Sequence, residues 1–503
     1  MNDIIKFDNK LSIEKSGEGK RGFSFKKAAP KAGIPQGAAR TTRPRLPELS
    51  EFDVVRHFTR LSKFNFSVDT HFYPLGSCTM KYNPKINEEV SSFDGFTHTH
   101  PLAMDACAQG TLEIIWDMEK RLCELCGMDA GTLWPVAGAH GEYTGILLAK
   151  KHFEELNRSR DVPSPVKNEE GTVPIHSDRV NRDEIIVPDS AHGTNPATAS
   201  MAGFKTININ SAPDGRIDLE VLKARITPKT AVIMLTVPNT LGIFESNIAK
   251  ICEMAHANGS LVYMDGANFN ALIGLVKPGE LGVDIMHLNM HKTFSTPHGG
   301  GGPGAGGIMV KKALIPYLPA PRIEKKGGSF SVNEDLPLSI GRIKAWFTNT
   351  QVLLRAYAYL LMHGPKQLRE IAENSIINAN YIKSGLQDLF PPYSREYCMH
   401  ECVLAPSKEL TDKGIRTLDV AKRLLDYGYH APTIYFPIIV HEAIMIEPTE
   451  TESKETMDAF IAAMTKIHSE AQKDPEFVKK APHTMPVKRL DEVEAARKPN
   501  IRW

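Results

Sequence analysis

The sequence is poor in cysteine: seven in 503 residues, an odd number scattered along the chain. No disulfide framework organises such a chain, and a reducing, cytoplasmic setting is expected. Excess charge of one sign is missing too. The formal net charge is +1, which gives no reason to expect nucleic acid or an anionic membrane as partner. Apolar runs approaching the roughly 18 residues of a bilayer span are absent. The opening Met-Asn-Asp-Ile-Ile-Lys has no apolar core, so no secretory leader is expected. No internal repeat is found. The length does exceed a single hydrophobic core, so more than one packed domain is expected.

What is present is more pointed. Lys292 lies in His287-Leu-Asn-Met-His-Lys-Thr-Phe-Ser-Thr-Pro-His298, and a glycine-rich stretch follows it to Gly307. A lysine that tethers an aldehyde cofactor must be partly desolvated, so that its neutral amine is accessible. The backbone around it must come close to the cofactor, which glycine allows. Upstream, Leu261-Val-Tyr-Met-Asp265 reads as an apolar strand ending in a carboxylate. That order, strand, Asp, then Lys, is the order of pyridoxal-phosphate enzymes, where the Asp faces the pyridine nitrogen. The glycine run lacks the Gly-Lys-Ser/Thr ending of a phosphate-binding P-loop.

Strand-like segments at Glu184–Pro188, Ala231–Val237, Ser260–Asp265 and Gly307–Val310 alternate with helical patterns such as Asn247–Ala257. Alternation of this kind predicts an α/β sheet with ligands beyond the carboxyl ends of its strands. Asp189-Ser-Ala-His-Gly-Thr-Asn-Pro196, Pro238-Asn-Thr-Leu-Gly242, Asp265 and Lys292 all fall at such ends. Leu133 to Tyr143 is a small-residue turn leading into a helical run, and a helix opened that way seats a phosphate. Helices are also expected over 47–69, 109–126 and Ile340–His363, with Asp419–Tyr427 and Ser453–Ala471 in a mixed C-terminal region. The domains expected are an extended arm over 1–50, a helix and irregular active-site segment over 51–104, a large α/β domain over 105–334, a small α+β domain over 335–475 and a tail over 476–503. The arm's basic residues (Lys20, Arg21, Lys26, Lys27, Lys31, Arg40, Arg43, Arg45) read as a solvated arm against a neighbouring subunit, with polyanion binding as the alternative. Cys123-Glu-Leu-Cys126 has redox spacing but reads as packing thiols of a helix that stops at Gly127. His98-Thr-His100 offers too few ligands for a metal, and no metal is expected. It reads as an active-site lid or a buried polar turn.

The motifs resemble those of the glycine cleavage P-protein family, the glycine dehydrogenases (decarboxylating, aminomethyl-transferring). Within it they resemble subunit 2, the lysine-bearing half of the split form. The stretches that carry the resemblance are Pro74-Leu-Gly-Ser-Cys-Thr-Met-Lys81, Gly138-Ala-His-Gly-Glu142, Asp189 to Ala197, Pro238 to Gly242, Asp265-Gly-Ala-Asn268, His287 to Phe294, Ser339-Ile-Gly-Arg342, Cys398-Met-His-Glu401 and Met445 to Glu452. One departure is Val136-Ala-Gly-Ala-His140, where the family more often carries Asn-Ala-Gly-Ala-Gln.

The resemblance implies an aspartate-aminotransferase-like fold, type I of the pyridoxal-phosphate transferases. That fold has a large, mostly parallel-sheet domain and a smaller α+β C-terminal domain. It implies pyridoxal 5'-phosphate held by Lys292, Asp265 and His192, the last stacked on the ring, with Ala139, His140, Thr194 and Asn268 as further contacts. It implies decarboxylation of glycine with release of CO2, and transfer of the aminomethyl group to the lipoyl arm of H-protein. Ser77, Cys78 and Thr79 are expected in a loop over glycine, with Asn239 and Thr240 also at the substrate. His291 either tunes Lys292 or caps its turn. The partner implied is a subunit 1, in an α2β2 assembly. Another pyridoxal-phosphate reaction, such as transamination or aldol cleavage, and a non-catalytic scaffold are the alternatives.

Overall fold

The computed structural model describes residues 10–22, 33, 35–42, 44–160, 166–168, 171–173, 181–297, 304–345 and 347–501. Lys26, Lys27, Lys31 and Arg43 of the basic arm, and most of the glycine run after Lys292, lie outside the described residues. Two compact units form. One holds Met1–Thr70 with Thr484–Trp503, and the other holds His71–His483.

The smaller unit carries α1 (Glu51–Ser62), shorter than the helix expected over 47–69. Its start is set by Ser50, whose hydroxyl accepts the Asp53 N–H while the Asp53 carboxylate reaches back to the Ser50 N–H. This reciprocal cap satisfies two donors that a helix start leaves open.

In the larger unit, α2 (Asp105–Cys126) turns Ala108, Leu112, Ile115, Met118 and Leu122 inward at helical spacing. It ends at Gly127, in the left-handed region at φ 69°, where a β-carbon is costly. Cys123 and Cys126 are buried in its apolar face, and burial pushes both thiols up, Cys123 to about 12. They are packing residues.

The centre of this unit is a seven-stranded sheet built from β1 (Ala130–Thr132), β2 (Glu184–Pro188), β3 (Lys205–Ile209), β4 (Thr230–Thr236), β5 (Leu261–Gly266), β6 (Ile285–Asn289) and β7 (Gly306–Val310). Their order across the sheet is β3-β2-β4-β5-β6-β7-β1. The five strands β3, β2, β4, β5 and β6 are parallel, while β7 runs against both of its neighbours. Every residue of β4, β5 and β6 is buried, as a parallel sheet covered on both faces requires. Two of these strands, β3 and β6, escape the apolar pattern. Lys-Thr-Ile-Asn-Ile alternates at an edge, and the apolar run of Ile-Met-His-Leu-Asn is broken by His287 and Asn289.

Helices α3 (Gly138–Arg160), α4 (Thr194–Met201) and α5 (Ile248–Ala257) cross over between strands. The long helix expected over Ile340–His363 is displaced: α6 runs over Thr350–Leu386. The described residues of 340–349 are non-helical, their polar groups being bonded to distant loops. Thr348 Oγ1, for example, donates to the Pro135 carbonyl at 2.7 Å. At the other end Pro365 does not stop the helix. Gly364, at φ 62°, absorbs a kink, and Pro365 opens a second helical stretch. Residues of α6 from Val352 to Ala372 pack into the core beneath the sheet and those from Ala379 to Leu386 into the C-terminal core, so one helix joins both. That second core surrounds a small antiparallel sheet of Cys402–Leu404, Ile444–Ile446 and Thr433–Ile434, with α7 (Thr417–Asp426) and α8 (Lys454–Lys473).

Lys81 ties four separate segments together. Its ammonium donates to Asn270 Oδ1 at 2.9 Å, to Tyr359 Oη at 3.0 Å and to Glu450 Oε1 at 2.9 Å, with the Lys81 side chain 1% exposed. Removing one member of a buried ion pair leaves the other charge without compensation. Lys81→Met is expected to cost about 3–5 kcal/mol of stability, read from urea unfolding. A Lys81→Met/Glu450→Met double variant is expected to recover a large part of that loss.

Candidate active site

The carboxyl ends of the parallel strands bring the expected groups together. Asp265 closes β5, and Lys292 follows β6 on a turn in which its own N–H donates to the Asn289 carbonyl at 3.2 Å. Both side chains are buried, and each acts electrostatically on the other's neighbourhood.

Asp265 is the more heavily supported. Its Oδ1 accepts the Ala267 N–H at 2.9 Å and lies 3.3 Å from His287 Nε2. Its Oδ2 accepts Asn195 Nδ2 at 3.1 Å. Burial raises its pKa, but the rings of His287 and His192, the Ala267 N–H and the Lys292 amine outweigh burial. The carboxyl is held below its ordinary value. His287 is itself oriented from behind, since its Nδ1 is 2.7 Å from Tyr263 Oη. The ring thus touches Tyr263 through Nδ1 and faces the carboxylate with Nε2. Burial lowers the His287 pKa, and the ring is neutral near pH 7. Tyr263 of β5 and His287 of β6 therefore stand behind Asp265. Sequence reasoning missed them; the one signal was the break that His287 makes in the apolar run of β6.

His192 sits on the loop after β2 and is half-buried. Its N–H donates to Thr236 Oγ1 at 3.2 Å, its ring packs edge-on to Phe436 and its Nδ1 is 2.9 Å from Thr194 Oγ1. Thr194 Oγ1 also lies 2.9 Å from Glu142 Oε2. Burial and the nearby charge of Asp265 push the Glu142 carboxyl up to about 7. Glu142 was legible as part of a motif but carries no expected role.

Helix α3 begins at Gly138. A β-carbon there would meet Asn289 Oδ1 at 2.3 Å, so only glycine lets the helix start against the end of β6. Ala139 is exposed and His140 half-buried at that N-terminus, with the Val136 N–H on His140 Nδ1 at 3.3 Å. His291 packs against Gly304, where a β-carbon would meet its Nδ1 at 2.7 Å, so glycine at 304 makes room for the histidine next to Lys292.

Two residues expected at the substrate, Asn239 and Thr240, and one expected at the cofactor, Asn268, are hydrogen-bonded within the protein. Asn239 Nδ2 donates to the Gly215 carbonyl, and its Oδ1 accepts the N–H groups of Leu241 and Ile243. Thr240 Oγ1 donates to the Ser190 carbonyl. Asn268 Nδ2 donates to the Pro238 carbonyl. All three fasten turns at strand ends rather than offering polar atoms to a ligand, because the turns leave backbone groups that need partners. His98 and His100 are exposed, not a buried turn, and His100 Nδ1 accepts the Leu102 N–H.

The loop at 76–79 lies over a group that sequence reasoning did not assemble. The Ser77 N–H donates to Glu401 Oε2 at 2.8 Å and the Thr79 N–H to Glu447 Oε2 at 2.9 Å. Ser77 and Thr79 both have positive φ, 65° and 33°, costly for side chains other than glycine. Gly76 is pinned as well: a β-carbon there would meet Met445 at 2.2 Å. Gly242, at φ 73°, packs so that a β-carbon would meet the Glu401 carbonyl at 2.1 Å, and its own carbonyl accepts the Met399 N–H at 2.7 Å. His400, Glu401 and Glu447 are fully buried, with one ligand atom from each all within 4.8 Å of one another. Lys292 acts on all three.

The residues present fit pyridoxal phosphate. A buried amine and an ionised carboxylate stand at adjacent strand ends, and the start of a long helix offers unpaired N–H groups to a phosphate. Two buried oxygens in the same region, Asn289 Oδ1 and Glu142 Oε1, have no partner within the protein. The mostly parallel seven-stranded sheet with its crossover helices is the architecture of the type I pyridoxal-phosphate enzymes.

Residues 175–326 match the aminotransferase class-V family, and residues 371–485 match the family described as glycine dehydrogenase, C-terminal domain. Among solved structures, a glycine decarboxylase (P-protein) of the glycine cleavage system in inhibitor-bound form superposes with a TM-score of 0.68 at 21% identity. The match covers 86% of this chain and 92% of that one. A NifS-like protein superposes with a TM-score of 0.59 at 17% identity, covering 79% and 99%. These establish the fold. A probable glycine dehydrogenase (decarboxylating) subunit 2 of Caldanaerobacter subterraneus subsp. tengcongensis is 49% identical, covering 99% of this chain and 100% of the relative. One from Kosmotoga olearia is 51% identical, covering 98% of each. The chain belongs to the glycine dehydrogenase (decarboxylating) subunit 2 family.

Proposed function

We propose that this chain is the cofactor-bearing subunit of a glycine-decarboxylating enzyme, with Lys292 as tether and Asp265 as the partner of the ring nitrogen. The observation that carries the reading is the Asp265–Lys292 pair at neighbouring strand ends, within a chain that matches subunit 2 relatives end to end. Pyridoxal phosphate, when bound, supplies a sink for the electron pair left behind as CO2 departs. The chain's own groups do the rest. Lys292 holds the cofactor and yields its place to the amine of glycine. Asp265, kept ionised, favours a proton on the ring nitrogen, and His287 and Tyr263 keep its oxygens aimed. The N-terminus of α3 with Ala139 and His140 would hold the phosphate, and His192 would pack on the ring.

The aminomethyl group passes to a lipoyl disulfide on H-protein, and the working assembly is an α2β2 complex with subunit 1 in the cytoplasm. Family membership supports a partner subunit and a place in glycine cleavage. No described helix is long and apolar enough to cross a membrane.

The test is carbon exchange between labelled bicarbonate and glycine, with subunit 1 and lipoylated H-protein supplied. Glycine-dependent incorporation is expected. Absence of exchange under those conditions, with another amino acid turned over instead, would replace this reading by another pyridoxal-phosphate reaction.

A further inference from the structure

The group beneath the 76–79 loop contains more polar atoms than the protein satisfies. Both ring nitrogens of His400, and Glu401 Oε1 and Glu447 Oε1, are buried without a hydrogen-bond partner. Unpaired buried atoms are costly, and four in one place mark a site that a ligand completes. The arrangement is directional. Each glutamate uses Oε2 for a backbone N–H of the loop, at Ser77 and at Thr79, and keeps Oε1 free. The cluster lies within the electrostatic reach of Lys292, so its ligand is also a ligand of the tether's surroundings.

We propose that the unpaired atoms of His400, Glu401 and Glu447 form the seat for the substrate's carboxylate, holding it through side-chain hydrogen bonds. This rests on glycine being the substrate. The surroundings of all three groups favour their uncharged forms. Burial and then the charge of Glu447 push the Glu401 carboxyl up to about 8, and burial pushes Glu447 up to about 7. Burial and then Lys292 push His400 down to about 3, so it is a neutral ring with one N–H to donate. The other titratable groups facing the cluster are Cys78, Lys292, Glu450, Cys398 and Cys402; Lys81 neutralises Glu450, and burial pushes the three thiols up, so they stay uncharged.

The chemistry favours such a pocket. In decarboxylation the carbon–carbon bond breaks, its electron pair stays on the carbon and the carboxylate leaves as neutral CO2. A cation on the carboxylate would stabilise the charge that the reaction removes, binding the reactant better than the transition state. Acid and imidazole donors in a buried pocket orient the group with less of that penalty.

The same three side chains have the spacing of a divalent-metal site, and the Lys292 amine beside them opposes one. The experiment uses the holoenzyme with subunit 1 and compares glycine with methylamine, the same amine without a carboxylate. Binding is read from the cofactor's visible absorbance. Wild type is expected to prefer glycine, and to lose that preference as pH rises through about 7 to 8, where the carboxyls ionise and repel the ligand. His400→Phe and Glu447→Met are expected to lower glycine affinity about tenfold to a hundredfold, the loss of one or two hydrogen bonds to a charged group. Methylamine binding stays unchanged. Glu401→Gln, similar in size and still a donor, is expected to keep the preference and flatten its pH dependence. A glycine-to-methylamine ratio unchanged in all three variants, or a preference that chelator removes and zinc restores, overturns the proposal while leaving glycine as substrate. A wild-type enzyme that answers methylamine but not glycine overturns the functional reading instead.

Discussion

Lys292→Ala is expected to lower glycine decarboxylation by about 10⁴-fold or more, the scale seen when a covalent group is removed. The side chain is buried at the end of β6, and its backbone N–H is bonded to the Asn289 carbonyl, which alanine preserves. The turn therefore survives, and cofactor binding persists through Asp265 and the start of α3, without the covalent link. Borohydride is expected to fix cofactor to wild type and not to the variant, after which only wild type keeps its cofactor through denaturation. A variant that still traps cofactor would place the tether on another lysine. Lys81, another buried lysine, is held away from that role by the three hydrogen bonds of its ammonium.

The second large effect belongs to Asp265. Asp265→Asn keeps size and one acceptor but removes the charge that favours a proton on the ring nitrogen. A fall of about 10³-fold in turnover is expected, comparable to losing a well-placed charged partner in other enzymes. Cofactor affinity falls less, since Lys292 still holds it. His287→Gln separates charge from orientation. It leaves the carboxylate in place and removes the ring that Tyr263 steadies, so it is expected to be much milder. Equal losses in both variants, measured as kcat with saturating glycine, would show that orientation and not charge dominates.

Much of this was readable beforehand because the site lies where strands end. Asp265, Lys292 and the Gly138 turn each mark the end of an apolar run, and a run and its end are local properties of sequence. The reading failed where partners are distant. Glu401 and Glu447 come from a different part of the chain than the loop they bond, 324 and 368 residues away, and no periodicity announces that meeting. Asn239 and Thr240 illustrate the converse. A polar pair after a strand has the composition of a ligand contact, and only the fold reveals that the Gly215 and Ser190 carbonyls take their hydrogen bonds. The start of α6 was misplaced for a related reason, since Thr348 is bonded to Pro135, far from the helix it precedes.

Gly242 constrains how this chain can be recombined. Its missing side chain makes room for the Glu401 carbonyl, and its own carbonyl fastens Met399. Two stretches about 160 residues apart therefore behave as one inherited block. A chimera that takes the sheet from one relative and the C-terminal region from another will assemble its pocket only if both parents have the same contact at this point. A library of crossovers falling between 242 and 399 would reveal that block as a dependence of activity on matched parentage, even where every chimera folds.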